Sequence, residues 1–307
     1  MRFAPVSANR RQDHVRHSRA RQRRRGRDRR RRSRRRELPL ATVERVASSR
    51  RLRALITNDD GIDSPGLWAL AASARDAGFE VVVAAPHVDA SGVGASVLSV
   101  REDGRVRLHG RELPGLDGVP AFAVEGHPAF IVTSAGRGWL DPEPDVVLSG
   151  INLGANTGHA VLHSGTVGAA LAAGLQGRRA LAVSLDTGWN PPEQPHWEAA
   201  AHVLPEVLDL LLGTDDGTVL NLNVPDVAPA GLGPLREARL APFGTVQVRI
   251  AQRTTESSEG LHMTWDERAE PPEPGTDTAL LRAGHPTLTR LVSVGERPGV
   301  LGGVPTS

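Results

Sequence analysis

The 307-residue chain contains no cysteine and no tyrosine, and every one of its 37 Lys or Arg positions is arginine. Without lysine there is no ordinary P-loop, no Schiff-base nucleophile and no lysine clamp on a phosphate. Without cysteine there is no thiolate nucleophile, no disulfide and no cysteine-based zinc site. No stretch of the sequence approaches the roughly 18 apolar residues of a membrane span. The N-terminus is charged but has no apolar core behind the charge, so it does not read as a secretory signal, and a cytoplasmic protein is the expectation.

Charge is unevenly spread. Residues 1–50 hold 19 of the 37 basic residues and 4 of the 35 acidic ones, which leaves 18 basic and 31 acidic residues in 51–307, a net of −13 there. "RQRRRGRDRRRRSRRR" (21–36) repels itself and is expected to be a disordered tail. Three readings of this segment compete. It is a nucleic-acid-binding arm that neutralises phosphates, a solvated tail, or translated sequence upstream of the working protein. No aromatic residue interleaves with the arginines of that run and no partner fold adjoins it, which favours the last two.

From residue 51 the pattern alternates between strands and helices. "LRALIT" (52–57) reads as a buried strand, followed by a helix with Ser64 at the N-cap and Pro65 in its first turn. Leu67, Leu70, Ala71 and Ala74 share one face of that helix, and "EVVVAAP" (80–86) is the next strand, which makes a βαβ unit. Further strands are expected at 120–126, 144–150, 179–185 and 218–225. Helices are expected from about 128 to 137, at 165–177 and near 196–212, where Pro205 should bend or divide the last of these. Beyond residue 230, "GTVQVRIAQRT" (244–254) reads as one arm of a hairpin and 255–275 as a polar loop. A short helix (276–284) and a final strand (285–294) complete the chain. The class is α/β, a Rossmann-like three-layer core with a mainly parallel sheet.

In such sheets ligands bind beyond the carboxyl ends of the strands. Three of those ends carry unusual polar chemistry: "NDDG" (58–61), "PHVDASG" (86–92) and "SGINLGANTG" (149–158). Together they offer Asp59 and Asp60 carboxylates, the Ser91 hydroxyl and the Asn152 amide oxygen. This all-oxygen set suits Mg²⁺ or Mn²⁺ rather than zinc. Taken alone, the acidic pair is better explained by Asp59 capping a helix while Asp60 is solvated. The neighbourhood adds weight to the metal reading. Glycines at 150, 154 and 158 allow close backbone approach, and Ser164 and Thr166 open a helix whose free N–H groups favour an anion. An anion cradle beside an oxygen-ligand cation site suggests phosphate.

In order and spacing, "ITNDDGIDSPG", "APHVDASG", "SGINLGANTG" and "HSGTVGAALAA" resemble the motifs of the SurE family. "LNLNVP" (220–225) and "TDTALLRAGHPTLTRL" (276–291) are similar to its C-terminal part. The resemblance covers about residues 52–294. It implies a metal-dependent 5′-nucleotidase, a phosphatase of nucleoside 5′- and 3′-monophosphates, with one divalent cation per subunit on Asp59, Asp60, Ser91 and Asn152. It implies phosphate contacts from Asn156, Ser164, Gly165 and Thr166. It also implies a core over about 51–230 and an extension over about 231–300 that is exchanged in a homodimer, sometimes a tetramer. The chain departs from the family pattern at "GHPAF" (126–130), where His127 and Phe130 replace Thr and Asp. It departs again at "HVDA" (87–90), where Asp89 adds negative charge, and at His163, which replaces a tyrosine.

Within that reading, Asp59 is the candidate base or nucleophile, the two roles being inseparable from sequence. Asn156, Ser164 and the N–H groups near Gly165 are candidates for stabilising charge on the phosphoryl oxygens. His163 reads as a structural histidine before it reads as a proton donor to the leaving group. Two other acidic-pair folds, the phosphoacceptor switch domain and the haloacid-dehalogenase phosphatase, need a lysine this chain lacks. A non-catalytic nucleotide or nucleic-acid binder using the arginine-rich arm is the remaining alternative.

Overall fold

The computed structural model describes residues 50–97, 105–188, 190–242, 248–255, 258–265, 271–292 and 294–295. The arginine-rich segment lies outside the described residues.

β1 (Arg53–Thr57) leads through α1 (Pro65–Asp76) to β2 (Glu80–Pro86). After β3 (Leu108–Gly110) come β4 (Ala121–Val124), α2 (Pro128–Ser134), β5 (Val146–Leu153), α3 (Gly165–Leu175) and β6 (Arg179–Asp186). The chain continues through α4 (Trp197–Leu212), β7 (Val219–Pro225), β8 (Arg236–Glu237), β9 (Val248–Thr255), β10 (Ser258–Trp265), α5 (Asp277–Arg282) and β11 (Thr287–Leu291). Nine strands form one sheet in the order β3-β4-β2-β1-β5-β6-β7-β11-β8. Pairing is parallel from β4 through β7, and β3 and β11 each run antiparallel to the strand beside them, β4 and β7.

The central strands are apolar on both faces because helices cover both. Ala54 and Ile56 of β1 pack with Val81, Val83 and Leu148 beneath α1 and α4. Leu55, Val82, Val147 and Ala182, one residue out of phase, pack beneath α2 and α3. Each fully buried Leu or Ile in these layers contributes about 1.5–3 kcal/mol relative to exposure. The α3 layer is built of alanine and glycine, which lets that helix lie close to the sheet. A Cβ on Gly174 would stand 2.5 Å from Val219 Cγ2.

Two expectations change. Pro205 neither divides nor ends α4, which runs unbroken for 16 residues. Pro205 sits on the exposed face, where water can take the carbonyl its missing N–H leaves behind, while Val203, Leu204, Val207 and Leu208 anchor the buried face. The expected loop over 255–275 contains β10, which pairs antiparallel with β9 from Thr255↔Ser258 to Val248↔Trp265. Leu261, Met263 and Trp265 alternate there with Gly260, His262 and Thr264, a strand period masked by the Glu- and Pro-rich stretch that follows. The hairpin forms a sheet of its own, whereas β8 and β11, inside the segment expected to act as an extension, join the main sheet.

Among the described residues, no helix is long and apolar enough to cross a membrane.

Candidate active site

β2, β1 and β5 are adjacent and parallel, so the three polar loops leave the same edge of the sheet side by side. The chain turns from β1 toward β2 and β4 on one side, then returns to β5 on the other. The crevice between β1 and β5 is therefore a topological switch point, the place where open α/β sheets bind ligands.

The turn after β1 is held by Asn58, which sequence reasoning passed over. Its buried amide accepts from Gly61 N and donates to Gly61 O, both at 3.1 Å. This clamp presents Asp59 and Asp60 at the strand end. Asp59 is 4% exposed and does not cap α1. Its Oδ1 instead accepts the Thr166 hydroxyl, and the Thr166 backbone N–H also favours its charged form. The same hydroxyl lies 3.3 Å from Asn152 Oδ1, which brings β1, β5 and the start of α3 to one point. Gly165 makes this approach possible, because a Cβ there would lie 2.7 Å from Asp59 Oδ2 and 2.8 Å from its Cβ.

Burial pushes the Asp60 carboxyl up to about 7, and the neighbouring Asp59 charge adds to the rise; a backbone hydrogen bond from Leu153 opposes it. Burial also raises Asp59, against the hydrogen bonds from Thr166. Asp60 Oδ2 is buried and has no hydrogen-bond partner. An orphaned carboxylate oxygen beside a second buried carboxylate is what a divalent cation would satisfy. Among the described residues, no group of three or more His, Cys, Asp or Glu side chains could hold a metal ion. A hard cation on this carboxylate pair would need neutral oxygens to complete its coordination.

Asn152 stands at the end of β5, past a register shift against β6 that follows Ser149. Its amide nitrogen donates to Gly154 O at 2.8 Å, leaving Oδ1 toward Thr166. Ser91 is placed differently. It is exposed, and its hydroxyl donates to Asp89 Oδ1 at 2.6 Å. Its loop is nevertheless tied to the centre, since Ala90 N donates to Asp59 O at 2.7 Å. The loop's far side packs on α3, where a Cβ on Gly168 would lie 2.8 Å from Ala95 N.

Ser164 caps α3, its Oγ accepting from Val167 N at 3.1 Å. Asn156 sits in a polar cage that the sequence reading missed. Its Nδ2 donates to Ser184 Oγ at 2.9 Å, its N–H to Asn223 Oδ1 at 2.8 Å, and its carbonyl accepts from Asn221 at 2.8 Å and Asn223 at 3.0 Å. The signal lay in "LNLNVP", where two asparagines alternate with leucines in a fully buried strand and must find partners. Asp277 was missed as well. Fully buried, it accepts from Gly158 N at 2.7 Å, Ala241 N at 2.9 Å and Thr278 N at 2.8 Å, and so ties the start of α5 to the loop bearing Asn156. His163, expected to be a satisfied structural residue, is exposed. Of the other departures, His127 is the N-cap residue of α2 without a side-chain capping bond. Phe130 lines an apolar cavity of about 200 Å³ with Val106, Leu108, Val124, Ile131 and Trp139.

The family model described as Survival protein SurE matches residues 54–247. The chain belongs to the SurE family. Among SurE relatives, the 5'-nucleotidase SurE of Xanthomonas campestris pv. campestris (strain 8004) is 37% identical over 245 residues, covering 78% of this chain and 88% of the relative. The 5'-nucleotidase SurE of Stenotrophomonas maltophilia (strain K279a) is 37% identical over 242 residues, with the same coverage. The crystal structure of the SurE protein from Aquifex aeolicus matches with a TM-score of 0.64 and 28% identity, over 78% of this chain and 92% of that one.

Proposed function

We propose that this chain is a 5′-nucleotidase of the SurE type. It hydrolyses nucleoside 5′- and 3′-monophosphates to nucleoside and phosphate, with one Mg²⁺ or Mn²⁺ held by Asp59, Asp60, Asn152 and Ser91. The observation that carries this reading is the buried, partnerless Asp60 Oδ2 beside Asp59, whose Oδ1 accepts the Thr166 hydroxyl at the N-terminus of an 11-residue helix. The printed activity of the relatives supports it.

When bound, the cation supplies Lewis-acid polarisation of a phosphoryl oxygen. The chain's own groups do the rest. The Gly165 N–H, with the Ser164 cap, binds the phosphate at the α3 N-terminus, where the dipole favours negative charge, while the Thr166 N–H and hydroxyl hold Asp59 beside it. Asn156, fixed by Ser184, Asn221 and Asn223, supports the same oxygens without having to reorganise. Asp59, oriented by Thr166, is the group that attacks phosphorus or takes a proton from water. His163, exposed in the turn before Ser164, is the residue assigned to give a proton to the leaving oxygen in this reading.

The protein acts in the cytoplasm, where nucleoside monophosphates are found, as a homodimer or tetramer joined through its C-terminal extension. A two-stranded hairpin is marginal alone in water, and β9–β10 pairs only with itself among the described residues, which supports a partner subunit there. The test is phosphate release from a panel of mononucleotides by the full chain with Mg²⁺, Mn²⁺ or EDTA, repeated with Asp60→Asn. Cation-dependent release that EDTA and the substitution abolish is expected; full release in either case overturns the proposal.

A further inference from the structure

We infer that Asp89 is a positioning residue for cation binding: it accepts the Ser91 hydroxyl proton and so leaves that oxygen's lone pairs free to face the Asp59–Asp60 centre. The inference rests on the proposed reading of Ser91 as a cation ligand.

A serine hydroxyl has one proton and two lone pairs, and a cation can use only the lone pairs. An unconstrained hydroxyl rotates and offers its proton to the site for part of the time. In this chain it does not rotate freely. Asp89 Oδ1 accepts both the Ser91 N–H at 2.7 Å and the Ser91 Oγ–H at 2.6 Å. The second distance is that of a charge-assisted O–H···O bond. Such a bond draws the proton away from Oγ and makes the oxygen a better donor to a metal, the usual office of a carboxylate behind a ligand.

The loop is also held against the acidic turn. Ala90 N donates to Asp59 O at 2.7 Å, and a Cβ on Gly61 would meet Val88 C at 3.2 Å and Asp89 N at 3.5 Å. Ile62 N reaches back to Pro86 O at 2.8 Å. Ala90, the residue before Ser91, is thus held in a fixed register with Asp59, and Asp89 holds Ser91 to that loop.

The test measures Mn²⁺ affinity directly, by titrating the full chain and following the spin-resonance signal of free Mn²⁺, with no turnover involved. Asp89→Ala should weaken binding about tenfold. Asp89→Asn, whose amide oxygen still accepts the hydroxyl proton, should lose less. In a Ser91→Ala background the effect of Asp89→Ala should largely vanish, since the two residues act through one hydrogen bond. Unchanged affinity in Asp89→Ala overturns the inference. So do equal losses for Asn and Ala, or a loss undiminished by Ser91→Ala, either of which would mean that Asp89 acts only by its charge. Asp60→Asn, measured alongside, separates the levels. If it abolishes binding while Asp89→Ala does not weaken it, only the role of Asp89 fails. If it leaves binding intact, the cation site itself is misplaced.

Discussion

The Thr166 hydroxyl donates to Asp59 Oδ1 across 107 residues of chain, and this contact joins the end of β1 to the start of α3. It favours the charged carboxylate against the burial that opposes it. Thr166→Val keeps the side-chain shape and deletes the donor. A fall in kcat/KM of about 10–100-fold is expected, the usual range for losing a group that orients a ligand. Thr166→Ser should restore most of it, as steady-state phosphate release will show.

Gly165→Ala should be more damaging to activity than to folding. The added methyl would sit 2.7 Å from Asp59 Oδ2 and 2.8 Å from Asp59 Cβ, inside contact distance, so the carboxylate must move. The strain is local, about 1–3 kcal/mol. Thermal unfolding should therefore shift by only several degrees while phosphate release is lost.

Acidity should act on the metal-free protein with a definite sign. Asp60 titrates near 7 when folded and near 3.8 when unfolded, so the folded state holds the proton more tightly between those values. The stability this contributes is fully present below about pH 3.8 and is lost as pH rises through about 7; the raised Asp59 acts in the same direction. In EDTA, the difference in unfolding free energy between wild type and Asp60→Asn should shift against the wild type from pH 4 to pH 8. Saturating Mn²⁺ should reverse the trend, since the cation binds the deprotonated pair. Denaturant titrations at each pH measure both.

What the sequence revealed follows from which forces act locally. Strands β1, β2 and β5 were legible because both faces are buried, so apolar runs end abruptly at polar loops. Asp59, Asp60 and Asn152 could be placed on one edge from that pattern alone. The cage around Asn156 was not legible, because Asn221, Asn223 and Ser184 are distant in sequence and only the sheet order brings them together. Asp277 was hidden for the same reason, its backbone partners Gly158 and Ala241 coming from separate loops. β10 was hidden by composition, since its alternation adjoins a Glu- and Pro-rich stretch. That Pro205 does not divide α4 was not legible, because a local rule was applied without knowing which face of α4 meets water.

Asp277 should be among the most sensitive positions outside the acidic pair. Asp277→Ala leaves the N–H groups of Gly158, Ala241 and Thr278 without this acceptor in a fully buried place. Each unsatisfied donor costs about 1–3 kcal/mol. A loss of several kcal/mol in denaturant unfolding is expected, with Asp277→Asn losing less because its amide oxygen still accepts. Activity should fall in step, since Gly158 closes the loop that carries Asn156.

The most direct measurement is the anomalous scattering of Mn²⁺ soaked into crystals of the full chain. One peak coordinated by Asp59, Asp60 and Asn152, with Ser91 completing the set, is the result expected. Crystals that take up Mn²⁺ elsewhere, with Asp60 Oδ2 still unpartnered, would contradict it.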